Sequence, residues 1–153
     1  MHIREPNEHE MDSIYLMGRD AWGSETSEPI YLESCRASKK YGLGQWYCLE
    51  QDGQLLSSII IYQNCLGLAD HYFGFGSIAT VPAQRNKGFA SHLIKNLINK
   101  ISLAGSLGIF LYSEIGVEHY ARHGFLPVPG NETDGLMFLA TNGGCQPDTP
   151  EYF

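Results

Sequence analysis

The residues best suited to chemistry in this chain gather in a short basic turn, Gln84-Arg85-Asn86-Lys87-Gly88, that runs straight into an amphipathic segment. A helix start presents free backbone N–H groups and partial positive charge, and it ordinarily attracts Ser, Thr, Asp or Asn caps and an acidic first turn. Here Arg85 and Lys87 stand where the helix dipole disfavours cations, and only Asn86 is of a capping type. No Asp or Glu occurs between His71 and Ser113, whereas Arg85, Lys87, Lys95 and Lys100 do. In a chain of net charge -7 this is a positive island. An anion held by the N–H groups of the turn, with Arg85 and Lys87 beside it, would relieve the conflict. Gly88 would let the backbone approach that anion closely. A solvated basic turn without a ligand accounts for the same residues equally well.

The elements that position this turn are legible on either side. Residues 77–81 are small or β-branched and Pro82 closes the run, as at the end of a strand. After Gly88 the period changes: Ala90, Ile94, Leu97, Ile101 and Ala104 recur at helical steps, widened by Leu93 and Ile98, with Lys95, Asn96, Asn99 and Lys100 opposite. Two other groupings carry less. His119 and His123 are four apart on a short helical stretch, a metal-ligand spacing, yet no third ligand is evident and the residues read as a helix-surface pair, so no metal is expected. Cys35, Cys48, Cys65 and Cys145 have no metal-ligand spacing and read as reduced thiols of a cytoplasmic protein.

The pattern R-x-x-G-x-A over residues 85–90, after a Pro-ended strand and opening an amphipathic helix, resembles the acyl-coenzyme A motif of the GNAT N-acyltransferase superfamily. Downstream, His119-Tyr120-Ala121-Arg122-His123-Gly124-Phe125 is similar to the Y-x-x-x-G-F segment that closes the family's core. The two signatures stand in the family's order, about a helix and a strand apart. The resemblance covers nearly the whole chain, the first third in organisation rather than in motif. It implies an α+β, GNAT-like fold: a mixed, mostly antiparallel central sheet flanked by helices and splayed between its two central strands.

Composition agrees with such a domain. The chain has 153 residues, 43% hydrophobic and 18% charged, which suits one ordered domain over residues 1–153 with 141–153 as a C-terminal tail. No apolar run approaches the roughly 18 to 20 residues that span a bilayer, and the polar, acidic start is no signal peptide. Residues 1–4 read as a strand, 7–23 as a helix, and about 27–41 as a second helix with Pro29 near its first turn. Residues 45–50 and 55–65 read as strands joined at Asp52-Gly53, a strong hairpin signal. Residues 71–81 form the next strand, followed by the long helix, a buried strand at 107–112, and a short helix at 117–123 ended by Gly124. A last hairpin joins 125–128 to 136–140, and the Gly- and Pro-rich tail is expected to be extended or loosely ordered.

The resemblance also implies roles. The backbone of Ile78, Ala79, Thr80 and Val81 would hold the thioester arm of acetyl-coenzyme A like an added strand, with the Ile78 amide polarising the acetyl carbonyl. Arg85, Asn86, Lys87, Gly88, Phe89 and Ala90 would hold its pyrophosphate. Tyr120 would be the general acid, giving a proton to the departing thiolate. Ser113 stands where the family often places an Asn that contacts the cofactor. The positions where many members carry a strand base are Gly74 and Gly76, so the base is expected from Glu114, from His71 or from a water relay.

The function implied is transfer of an acetyl group to a primary amine of a small molecule or peptide. A GNAT-like module that binds acyl-coenzyme A without appreciable turnover is the alternative. Nucleic-acid binding is disfavoured because the basic island is small and the protein acidic. No membrane partner is expected, and a monomer or homodimer is. Glu5, Glu8, Glu10, Asp12, Asp20, Glu25, Glu28 and Glu33 crowd the first third. In the family that region walls the acceptor side, so Glu25, Glu28 and Glu33, with Trp22 and Tyr31, point to a cationic amine. Solvated helix faces explain the same acids.

Overall fold

In the computed structural model, which describes residues 1–153, the chain forms two compact units, Met1–Ile60 with Ser77–Leu93 and Ile61–Gly76 with Ile94–Phe153. The strand order in the sheet is β1 (His2–Arg4), β2 (Gln45–Gln51), β3 (Gln54–Gln63), β4 (Tyr72–Thr80), β5 (Gly108–Tyr112), β7 (Leu136–Ala140) and β6 (Leu126–Pro127). The sheet is mixed and mostly antiparallel, as the family resemblance implies.

In the first unit, β1 (His2–Arg4) pairs antiparallel with β2 (Gln45–Gln51), Ile3 lying opposite Leu49. The Arg4 guanidinium joins Glu10 at 2.8 Å and Glu50 at 3.3 Å, pinning the start of the chain. The helix expected over 7–23 is broken into a single 3-10 turn at Glu8–Glu10, α1 (Met11–Leu16) and α2 (Arg19–Trp22). The break falls at Gly18, over which the Trp22 ring folds so closely that a β-carbon there would collide with it. The second expected helix divides at Ser38, whose ψ of 114° is extended, into α3 (Glu28–Ala37) and α4 (Lys39–Leu43). Ser38 Oγ then accepts the Tyr41 N–H at 3.3 Å and caps the shorter helix. Asp52 and Gly53 both adopt left-handed φ, 52° and 78°, and turn β2 into β3 (Gln54–Gln63).

In the second unit the first half of β4 (Tyr72–Thr80) runs parallel to β5 (Gly108–Tyr112), from Tyr72 opposite Gly108 to Phe75 opposite Leu111. Antiparallel pairing continues from β5 to β7 (Leu136–Ala140) and from β7 to β6 (Leu126–Pro127). The four-residue α6 (Glu118–Ala121) precedes Gly124. The long α5 (Phe89–Leu103) carries most of the expected stripe: Leu93, Ile94, Leu97 and Ile101 are buried, whereas Ala104 lies past its end and is exposed. Residues 141–153 contain neither helix nor strand, yet they are held down. Tyr72 Oη donates to the Cys145 carbonyl at 2.5 Å, the Glu151 N–H to the Leu66 carbonyl at 2.8 Å, and the Phe153 ring is buried. No helix is long and apolar enough to cross a membrane.

Candidate active site

The second half of β4 offers an incompletely used strand edge. Ser77 takes a φ of 44° in the middle of the strand, a left-handed residue of the kind that makes a bulge, and the register with β5 runs only as far as Phe75. Beyond the bulge, Val81 N–H donates to the Leu56 carbonyl at 3.0 Å and the Ala79 carbonyl accepts from Ser57 Oγ at 2.6 Å. Backbone groups alternate in direction along a strand. Ala79 and Val81 therefore address β3, and the amides of Ile78 and Thr80 point the other way. The Thr80 carbonyl accepts Arg85 Nε at 3.2 Å. Of the four residues expected to hold a thioester arm by their backbone, Ile78 and Thr80 face outward and Ala79 and Val81 do not.

The basic turn is open in its backbone and tied down in its side chains. Asn86 and Gly88 take left-handed φ of 62° and 83°, and α5 begins at Phe89. The first N–H groups of that helix, Phe89 and Ala90 among them, have no acceptor within it. No atom lies within 4 Å of where a Gly88 β-carbon would be, so space is open above the turn. Arg85, expected beside an anion, is instead a strut. Its guanidinium grips Asp20 at 2.6 and 2.8 Å and donates to the Met17 carbonyl at 3.1 Å. The Asp20 carboxylate, held below its usual range by that bond, supplies the negative charge that the uncapped turn lacked. Lys87 Nζ lies 2.8 Å from Gln84 Oε1, across the same turn.

In the second unit Tyr120 is buried in α6, edge-on to His119 at 4.9 Å and to Phe125 at 6.4 Å. Burial, and secondarily the nearby Glu114 charge, push its phenol up to about 12, so the oxygen keeps its proton throughout the neutral range. Glu114 follows β5 and is exposed, its Oε1 accepting Tyr152 Oη at 2.7 Å. Ser113 Oγ donates to the Gly116 carbonyl at 2.6 Å and its N–H to the Gly135 carbonyl at 2.8 Å, which commits it to shaping the local loop. His119 Nδ1 lies 2.7 Å from Arg122 Nη2. His71 is exposed at a left-handed turn, φ 67°. At Gly74 a β-carbon would stand 2.5 Å from the Phe153 ring, so an aromatic fills the place a strand base would need.

The first unit also holds a cavity of about 510 Å³ lined by Trp22, Glu25, Tyr31, Lys40 and Tyr41 among others. Of the acidic wall expected from the sequence, Glu25 lines it and Glu28 and Glu33 do not. Glu10, Asp12 and Asp20 are neutralised by Arg4, Arg36 and Arg85. Sequence reasoning missed the aromatic floor beside this cavity, where Tyr15 and Tyr41 stack at 5.7 Å and Trp46 meets Tyr41 edge-on at 5.2 Å. Their spacing in the chain carries no single period that would have revealed it.

The sequence profile of the acetyltransferase (GNAT) domain matches residues 2–128, and the chain belongs to the GNAT acetyltransferase family. Among solved structures, a GNAT family acetyltransferase from Brucella melitensis in complex with acetyl-CoA superposes with a TM-score of 0.67 at 24% identity, over 99% of this chain and 92% of that one. The PaiA N-acetyltransferase of Thermoplasma acidophilum, in complex with coenzyme A, gives 0.69 at 15% identity, over 91% and 98%. The ribosomal-protein-S18-alanine N-acetyltransferase of Escherichia coli gives 0.64 at 17% identity, over 99% of both chains. At these identities the likeness is one of fold. A search of curated protein sequences finds no match.

Proposed function

We propose that this chain moves an acetyl group from acetyl-coenzyme A to a primary amine of a small molecule or peptide by direct transfer. The observation that carries the reading is the outward-facing edge of β4 at Ile78 and Thr80, leading into the open left-handed turn before α5. An amide-containing arm fits such an edge as an added strand does, through N–H and C=O groups two residues apart. A pyrophosphate fits the turn, where the N–H groups of residues 86–90 and the helix dipole favour an anion and Gly88 leaves room. Arg85 serves that site indirectly: its bonds to Asp20, Met17 and Thr80 hold the turn in shape.

The remaining roles rest on the family resemblance, residue by residue. The Ile78 N–H donates to the acetyl carbonyl oxygen as negative charge builds there. The base is not carried over from the family, whose strand positions are Gly74 and Gly76 here; Glu114, just beyond β5, is the substitute that takes a proton from the attacking amine. The carbon–nitrogen bond forms, the carbon–sulfur bond breaks, and Tyr120 gives its phenolic proton to the departing thiolate. The Phe153 ring over Gly74 favours a second reading, a module that binds acyl-coenzyme A with little turnover. A panel of amines incubated with acetyl-coenzyme A, with thiol release followed colorimetrically, separates the two. Amine-dependent thiol release supports transfer. Tight coenzyme A binding with no release above hydrolysis for any amine supports the module, and absence of binding defeats both.

A further inference from the structure

The last residues of the chain are anchored in the second unit, and one of them reaches a carboxylate. Tyr112 Oη donates to the Pro150 carbonyl at 2.8 Å, and the Glu151 N–H donates to the Leu66 carbonyl at 2.8 Å. The Phe153 ring is buried, 5.3 Å from the Tyr62 ring and 5.2 Å, edge-on, from Tyr112. It rests on Gly74, where any larger residue would push it away. Between these anchors the Tyr152 ring stands edge-on to Tyr112 at 4.8 Å and presents its hydroxyl to Glu114 Oε1 at 2.7 Å. Tyr152 has two side-chain torsions, and its ring packing narrows them before any bond to Glu114 forms.

We infer that Tyr152 is a positioning residue for the reaction: its hydroxyl fixes the Glu114 carboxylate, so the C-terminal strap supplies the order that a base on β4 would have had from its strand. The inference rests on the assignment of Glu114 as base in the proposed function. Its physical content is simple. Glu114 lies beyond the end of β5 on an exposed loop, and a base there must be held within a fraction of an ångström of its working place. The same bond, with burial behind it, keeps the Tyr152 phenol protonated by raising it to about 12, so it remains a donor at any pH the enzyme would meet. The glycine at 74 follows from the same arrangement, because the strap's anchor needs that space.

A double-mutant cycle on the full chain tests this, with kcat and both KM values read for wild type, Tyr152→Phe, Glu114→Gln and the double variant. Tyr152→Phe keeps the ring and its packing, at a site 55% exposed, so the fold should hold. The expected result is a roughly tenfold lower kcat for Tyr152→Phe with KM for the acyl donor unchanged, and no further loss when the change is made in Glu114→Gln. A Glu114→Gln variant a hundredfold slower beside a Tyr152→Phe variant at the wild-type rate would leave the base assignment standing and overturn the positioning role. Independent, multiplying losses would also overturn it. A Glu114→Gln variant at the wild-type rate would remove the base assignment, and the inference with it.

Discussion

Replacing Tyr120 by Phe removes one oxygen from a buried site and leaves the ring where it packs against Phe125 and His119. The phenol is pushed from 10.0 to about 12, first by burial and then by the Glu114 charge. A shift of that size corresponds to roughly 2 to 3 kcal/mol in favour of the neutral phenol. At pH 8 only about one molecule in 10⁴ would carry phenolate, so nearly every molecule holds the proton that the proposed acid would give. Losing a general acid of this kind typically slows the chemical step by 10²- to 10⁴-fold, about 3 to 5 kcal/mol of barrier. We expect kcat to fall at least a hundredfold, with coenzyme A affinity within a factor of two. Thiol release in steady state, paired with single-turnover measurements that separate chemistry from product release, is the assay. Stability supplies an internal control. Because the folded-state value lies above the unfolded one, and burial disfavours the phenolate rather than stabilising the phenol, this group leaves stability unaffected below pH 10 and lowers it as pH rises from about 10 to 12. Tyr120→Phe should flatten this alkaline loss while leaving neutral-pH stability almost unchanged. A variant that turns over at the wild-type rate, with chemistry shown to be rate-limiting, would refute the acid role and leave Tyr120 as a core aromatic.

Other outcomes follow from the same geometry. Gly88→Val has room in the free protein but must hold a φ of 83°, so it should lose about 1 to 2 kcal/mol of stability and bind coenzyme A more than tenfold more weakly. Unchanged affinity by calorimetry in the folded variant would exclude pyrophosphate at this turn. Glu10, depressed to about 2 by its hydrogen bond to Arg4, should contribute stability that is complete above pH 4.5 and is lost as pH falls towards 2. Acid-melting curves of Glu10→Gln should therefore be less steep than wild type across that window. For the acceptor, Glu25→Gln should raise the amine KM severalfold if a cationic amine occupies the 510 Å³ cavity, whereas Glu33→Gln, outside it, should leave KM alone. Equal responses of the two variants would detach the cavity from acceptor recognition.

Local signals in this chain were strong wherever one segment contained both halves of its own explanation. The alternation into Asp52-Gly53 sets a hairpin, the stripe from Leu93 to Ile101 sets α5, and the motif from Arg85 to Ala90 stands where a left-handed turn meets that helix. These depend on backbone preferences and periodicity within a few turns, which the order of residues dictates directly. Other features depended on which distant residue arrived. Arg85 reads as a free cation until Asp20, 65 positions away, meets it. A continuous helix over 7–23 is reasonable until Gly18, at φ -104° and ψ 4°, leaves helical geometry and the Trp22 ring takes the space beside it. Alternation alone could not say which amides of residues 78–81 face outward, because that is set by the register with β3 and by the bulge at Ser77. The tail looked extended or loosely ordered because its Gly and Pro content forbids helix and strand. Only the folded structure places Phe153 on Gly74 and Tyr152 on Glu114, since a segment without regular structure is ordered entirely by the side chains it reaches.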